Sequence, residues 1–196
     1  GGSPAVTLDP GDTFAWPTIT EADEAAVLEV LRQGNMSGTD VTQQFEQAFA
    51  AWQGCAYALG FNTGTASLHA AMFGVGVGVG DEIICPSITY WASALQTFSM
   101  GATVVFADIL PDTLCIDPED VEHRITEHTK AIMVVHYSGH PADMDAIMAI
   151  ADRHGIPVIE DVSHAQGGFY KGRRTGSFGK VAAMSLMSGK SLPIGE

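Results

Sequence analysis

Positive charge is scarce in this chain. Nine lysines and arginines stand against 23 aspartates and glutamates in 196 residues, a formal net charge of −14. A non-specific nucleic-acid surface needs clustered Lys and Arg, so the composition argues against a nucleic-acid partner. It leaves an anionic small ligand open, because helix N-termini and backbone amides bind phosphate without net positive charge. Cysteine is also rare: Cys55, Cys85 and Cys115 are widely spaced and odd in number. No Cys-x-x-Cys pair or His/Cys cluster offers a zinc site, so no metal is expected, and the cysteines read as free thiols of a reducing cytoplasm. No run of 18 or more apolar residues occurs, which leaves no candidate membrane span. No basic segment precedes an apolar stretch as in a secretory signal. The expected location is cytoplasmic.

What is present is apolar and patterned. Hydrophobic residues make up 46% of the chain, enough for a substantial core. Thr18-Ile-Thr20-Glu21 opens a helical pattern, with Thr18 and Glu21 at capping-box spacing. A second helix is predicted from about Val41 to Trp52, with Phe45, Phe49 and Trp52 on one face. Then strands and helices alternate. Strands are predicted at Tyr57–Phe61, Glu82–Cys85, Thr103–Phe106, Ala131–Val135, Pro157–Ile159 and Val181–Leu186. Helices are predicted at Gly64–Phe73, Tyr90–Met100, Asp117–Ile125 with Pro118 at its first position, and Ala142–His154. Short, nearly continuous apolar strands separated by helices predict an α/β fold of three layers, α/β/α, around a mainly parallel sheet. Ligands of such sheets sit at the carboxyl ends of the strands, and Asn62, Pro86, His136 and Asp161 all fall there. Gly74-Val-Gly-Val-Gly-Val-Gly80 has Gly-x-Gly spacing but lies between helix and strand, the reverse of a dinucleotide fingerprint.

Several residues at these junctions carry chemistry together that none carries alone. In Thr63-Gly64-Thr65, Gly64 permits close backbone approach, and Thr65 offers an amide and a hydroxyl to an anion at a helix N-terminus; an ordinary threonine cap is the competing reading. Ser185 supplies another hydroxyl near the end of the last strand. Asp161 is a carboxylate at the end of a buried strand, costly unless paired. Its neighbour Glu160 points the opposite way if the strand continues, so only one of them faces a ligand. Tyr90 offers a flat ring that either stacks on a ligand or fills the core, with Trp91 as competitor. His164 either lies against a ligand or hydrogen-bonds to Asp161. Lys190 is one of four lysines, with Lys130, Lys171 and Lys180. It alone follows a strand and stands among small residues, in Ser185-Leu-Met-Ser-Gly-Lys190. A lysine that forms a Schiff base, a carboxylate for a protonated ring nitrogen and a phosphate cradle are the requirements of pyridoxal phosphate chemistry.

The order of these motifs resembles the sugar aminotransferase family of the DegT and StrS type, within the fold-type-I (aspartate-aminotransferase-like) pyridoxal phosphate enzymes. The resemblance runs from about Pro17 to the last residue. It rests on six ordered stretches: Asn62-Thr-Gly-Thr-Ala-Ser-Leu-His69, Gly80-Asp-Glu-Ile-Ile-Cys-Pro-Ser-Ile-Thr-Tyr90, Gly139-His-Pro-Ala-Asp-Met144, Ile159-Glu-Asp-Val-Ser-His-Ala-Gln-Gly167, Tyr170-Lys-Gly-Arg-Arg-Thr-Gly-Ser-Phe-Gly179 and Ser185-Leu-Met-Ser-Gly-Lys190. It implies that Lys190 bonds the cofactor aldehyde and Asp161 pairs with the pyridine nitrogen. By the same resemblance, Gly64, Thr65 and Ser185 hold the phosphate, Tyr90 stacks on the ring, and His164 sits at the Asp161 side. Thr63, where the family usually has Ser or Asn, Leu186, where an aromatic residue is frequent, and His164, where Gln is frequent, depart from the pattern without removing a catalytic group. Lys190 argues against the dehydratase branch, which has His in its place.

The activity implied is transfer of an amino group from glutamate or glutamine to a keto-sugar, nucleotide-linked, or a keto-cyclitol, in a homodimer whose active site lies at the subunit interface. Residues 1–16 are expected to form an N-terminal arm and 17–196 an incomplete cofactor-binding large domain, with the C-terminal small domain outside the chain. A catalytically silent or regulatory pyridoxal-phosphate-binding protein and a nucleotide-binding oxidoreductase are the alternatives.

Overall fold

The structure is a computed structural model and describes residues 2–7, 9, 11, 15–34 and 37–194. It divides into two compact units, residues 1–38 and 39–196. In the first unit, α1 spans Glu21–Gln33. The chain contains two overlapping Thr-x-x-acid patterns, and the one that closes the cap is Thr20 with Asp23 rather than Thr18 with Glu21. Asp23 Oδ2 accepts from the Thr20 amide at 2.8 Å, and the Thr20 hydroxyl oxygen accepts from the Asp23 amide at 3.4 Å.

The second unit contains α2 (Asp40–Gln53), α3 (Gly64–Gly74), β1 (Glu82–Pro86), α4 (Ala92–Ser99), β2 (Thr103–Ala107), α5 (Pro118–Arg124), β3 (Thr129–Val135), α6 (Met144–His154), β4 (Val158–Asp161), the short hairpin β5 (Phe169–Tyr170) and β6 (Arg173–Arg174), and β7 (Val181–Ala183). Five strands form one parallel sheet in the order β2-β1-β3-β4-β7. Asp117 caps α5 through the Glu119 amide, with Pro118 at the first helical position, as expected.

Side-chain alternation along the strands splits the core in two. Ile83 and Cys85 of β1, Met133 and Val135 of β3 and Ile159 of β4 pack with Leu68 and Met72 of α3 and Ala92 and Ala94 of α4. Ile84, Ile132, Val134 and Val158 point to the other face and pack with Val121 of α5 and Met144, Ile147 and Ile150 of α6. The same parity assigns Asp161 to the α3/α4 face and Glu160 to the α5/α6 face. The three-layer parallel architecture is the one expected from the strand and helix pattern. Among the described residues no helix is long and apolar enough to cross a membrane.

Two strand expectations change. Tyr57–Phe61 pairs with no strand among the described residues, and Tyr57, Leu59 and Phe61 are exposed. An apolar extended segment becomes a strand only when a neighbouring backbone takes up its hydrogen bonds. The last strand stops at Ala183 rather than Leu186. Its neighbour β4 ends at Asp161, which is in register with Ala183, so nothing continues the ladder. Likewise α4 starts at Ala92, which leaves Tyr90 in the turn before it.

Candidate functional site

The carboxyl ends of β1, β3, β4 and β7 lie side by side and gather the residues picked out by their chemistry. Gly64 opens α3, and the expected threonine cap is present one residue earlier: Thr63 Oγ1 accepts from the Ala66 amide at 3.0 Å. That bond and the Ser67 amide to the Thr63 carbonyl use the third and fourth amides of the turn. The amides of Gly64 and Thr65 have no protein acceptor among the described residues, as expected of the first two helical positions. A Cβ placed on Gly64 would lie 2.7 Å from the Ser185 Cβ and 2.9 Å from its Cα. The helix therefore begins in direct backbone contact with Ser185, which only glycine permits.

Ser185 lies in the loop two residues past β7 and is fixed through its backbone. Its amide donates to Ser163 Oγ at 3.0 Å, and its carbonyl accepts from Gln166 Nε2 at 2.7 Å. Gln166 Nε2 also reaches the Ser163 carbonyl at 3.0 Å. The Ser185 and Thr65 hydroxyls make no hydrogen bond to the described residues.

Asp161 is only 4% exposed. Ser93 of α4 donates to its Oδ2 at 2.7 Å, and the Ser163 amide donates to its Oδ1 at 3.0 Å. Glu160, on the opposite face, is fully buried. Its Oε2 accepts from His136 Nε2 at 3.0 Å and the Gly176 amide at 2.7 Å, and its Oε1 from the Phe178 and Gly179 amides at 2.7 and 2.6 Å. His136 Nδ1 accepts from the Ala142 amide at 3.1 Å, so its proton sits on Nε2 and the ring is neutral. Burial pushes the Glu160 carboxyl up, but the His136 hydrogen bond and the Gly179 and Gly176 amides outweigh it and hold the carboxyl below its ordinary value. Only Asp161 of the two acids faces the ligand side.

His164 follows three residues after Asp161. Its Nδ1 accepts from the Ser138 amide at 3.4 Å, and its ring stands edge-on to Tyr137 at 5.8 Å; the partner is Ser138, not Asp161. Burial, then the Lys190 cation, lower the His164 pKa, and the Asp161 charge opposes them, so His164 feels both groups. Ser138, Ser163, His164, Gly189, Lys190 and Ser191 line an open cleft of about 340 Å³. A hollow of about 420 Å³ between α5 and α6 shares none of these residues. Lys190 is half-buried, and its amide donates to the Met187 carbonyl at 2.9 Å. Tyr90 is exposed beside Trp91, ring centroids 5.1 Å apart, and is not a core aromatic. The structure thus joins Gly64 to Ser185, and His164 to Lys190 in one cleft, while Tyr90 connects to Asp161 only through its position one turn before Ser93. Gly74–Gly80 joins α3 to β1, helix to strand.

The sequence reading missed Ser93, Ser163 and Gln166. Ser93 was visible as a hydroxyl on an apolar helix face four residues after Thr89. Ser163 was visible as the second residue after an aspartate, the spacing of an Asx turn. Gln166 carried no comparable signal.

A parallel α/β sheet with a lysine, a carboxylate and a helix N-terminus at its carboxyl ends is the architecture of fold-type-I aminotransferases. The chain belongs to the DegT/DnrJ/EryC1/StrS aminotransferase family, whose profile matches residues 17–196. It is 41% identical over 189 residues to L-glutamine:2-deoxy-scyllo-inosose aminotransferase of Streptomyces fradiae, which covers 93% of this chain and 45% of that protein. The structure of DesV from S. venezuelae superposes with a TM-score of 0.83 at 43% identity, covering 88% of this chain and 46% of that one. Spr1654 of Streptococcus pneumoniae, solved in its PLP form, superposes with a TM-score of 0.87 at 30% identity, covering 91% of this chain and 49% of that one. The chain spans about half the length of the relatives it matches.

Proposed function

We propose that this chain is the cofactor-binding part of a pyridoxal-phosphate-dependent aminotransferase that moves an amino group from glutamine or glutamate to a keto-cyclitol or keto-sugar. The observation that carries the reading is the convergence, at one end of the sheet, of the open α3 N-terminus on Ser185, the doubly held Asp161, and Lys190 in the cleft beside His164. These residues fit the cofactor: only a glycine at position 64 leaves the cradle clear, and its free amides and hydroxyls match a phosphate.

When bound, pyridoxal phosphate supplies an aldehyde carbon that takes up amines and a ring that withdraws electrons from the substrate carbon losing a proton. The amides of Gly64 and Thr65 and the hydroxyls of Thr65 and Ser185 hold the phosphate. Asp161 would accept from the ring nitrogen and favour its protonated form. Lys190 Nζ would be the amine that meets the aldehyde carbon and, when free, would act as the base and then the acid that moves the substrate proton. His164, held as a neutral ring by burial and the Lys190 cation, lines the same side. Tyr90, exposed before α4, covers the ring face.

The relative that acts on 2-deoxy-scyllo-inosose with glutamine supports a keto-cyclitol acceptor and a glutamine donor. The profile match over residues 17–196 supports that stretch as the cofactor-binding region. The test is a screen of the full-length protein with glutamine or glutamate against keto-cyclitols and nucleotide-linked keto-sugars. Amino transfer to at least one of them is expected. Cofactor binding without transfer to any acceptor would overturn the enzymatic reading and point to a silent cofactor-binding homologue.

A further inference from the structure

We propose that Ser93, supported by Thr89, is a positioning residue that fixes the Asp161 carboxylate in the orientation that receives the cofactor's ring nitrogen. The proposal rests on the cofactor reading above and adds Ser93, which lies outside the stretches that carry the resemblance.

Hydrogen-bond direction in this chain of three side chains is decided by what each can do. A carboxylate only accepts, so the Ser93 hydroxyl donates to Asp161 Oδ2 at 2.7 Å. Its single proton is then used. In the 2.7 Å contact between Ser93 and Thr89 the Ser93 oxygen accepts, and Thr89 donates. The alternative acceptor for Thr89, the Tyr90 carbonyl, is farther away at 3.3 Å. Ser93 has no exposed surface and Asp161 is 4% exposed, so neither exchanges this bond for water at no cost. The Ser163 amide holds Oδ1 from the other side. With one backbone donor and one side-chain donor, the carboxylate plane is set before any ligand arrives, which is how a binding group avoids reorganisation on association.

Cys85, His164 and Glu160 do not do this. Cys85 at the end of β1 is buried, and burial followed by the Asp161 charge pushes its thiol up, so it remains neutral. His164 in the segment after β4 gives its Nδ1 to the Ser138 amide. Lys190 acts on His164 by charge from the cleft side. Glu160 points to the opposite face. Ser93 donates to Asp161 from a fully buried side chain on a neighbouring helix.

The test compares two probes on the full-length protein: pyridoxal phosphate and its analogue with the ring nitrogen replaced by C–H. Only the first engages Asp161 through the ring, so wild type prefers it. Ser93→Ala is expected to reduce that preference roughly tenfold, the effect of one hydrogen bond to a charged group, and Ser93→Thr to restore it. Thr89→Val, one bond further out, is expected to reduce it a few-fold, and serves if Ser93→Ala does not fold. Equal weakening of both probes by Ser93→Ala, or an unchanged preference in whichever variant folds, would overturn the proposal, because a merely structural role moves both probes together. Asp161→Asn separates this failure from that of the cofactor reading. If it leaves the preference intact, the assignment of Asp161 to the ring nitrogen is itself wrong.

Discussion

Glu160 and Asp161 are adjacent acids with opposite tasks, and the two-residue period of a strand separates them. Asp161 lies on the α3/α4 face and is held by Ser93 and the Ser163 amide, whereas the contacts of Glu160 are His136 and the amides of Gly176, Phe178 and Gly179. Glu160 therefore ties the loop that leads into β7, and with it Ser185 and Lys190, to the end of β4. Replacing it with Gln sets an amide NH2 against backbone donors and is expected to cost about 3 kcal/mol in denaturant unfolding. Because the folded carboxyl is held below its ordinary 4.5, the Glu160 contribution is complete above that pH and is lost as pH falls through the lower folded value. The deficit of Glu160→Gln relative to wild type should therefore be full at pH 7 and narrow below pH 4.5. A deficit that grows on acidification would contradict the assignment. At this scale strand parity showed that only one of the two acids can face a ligand, and the family resemblance picked Asp161. The sequence was silent on the three loop amides that Glu160 collects, which lie 16–19 residues away.

Elements rather than single residues make the anion cradle. The N-terminus of α3 presents two open amides because Thr63 satisfies the third, and the helix reaches the loop after β7 because position 64 has no side chain. Gly64→Ala puts a methyl group against the Ser185 backbone, at 2.9 Å from Cα and 3.3 Å from the amide nitrogen. Strain of about 1–3 kcal/mol is expected, as for other overpacked sites, and pyridoxal phosphate binding measured by titration should fall at least tenfold. Wild-type affinity in this variant would remove Gly64 from the cradle. Most elements were legible from apolar spacing and punctuation, as where Pro118 after Asp117 fixed the start of α5. Strand ends and the Tyr57–Phe61 segment were not legible, because pairing depends on where a neighbour stops. The neighbour of β7 stops at Asp161.

On the scale of the whole molecule, parallel strand order places the ends of β1, β3, β4 and β7 at one edge, and the loops there bring together residues as far apart as Gly64 and Ser185. The resemblance over residues 17–196 and the half-length relatives supply the family. Four of the six stretches, those at 80–90, 139–144, 159–167 and 185–190, contain or follow the carboxyl end of a different strand of one sheet, β1, β3, β4 and β7. Lys190 is the residue on which the account depends, since it alone converts an anion-and-ring site into one that bonds a carbonyl carbon. The most direct measurement is borohydride reduction of the full-length protein loaded with pyridoxal phosphate, followed by peptide mapping. The account predicts the reduced label on the peptide containing Lys190, and its loss in Lys190→Ala. A label on Lys130, Lys171 or Lys180 instead, or none on folded, cofactor-saturated protein, would contradict it.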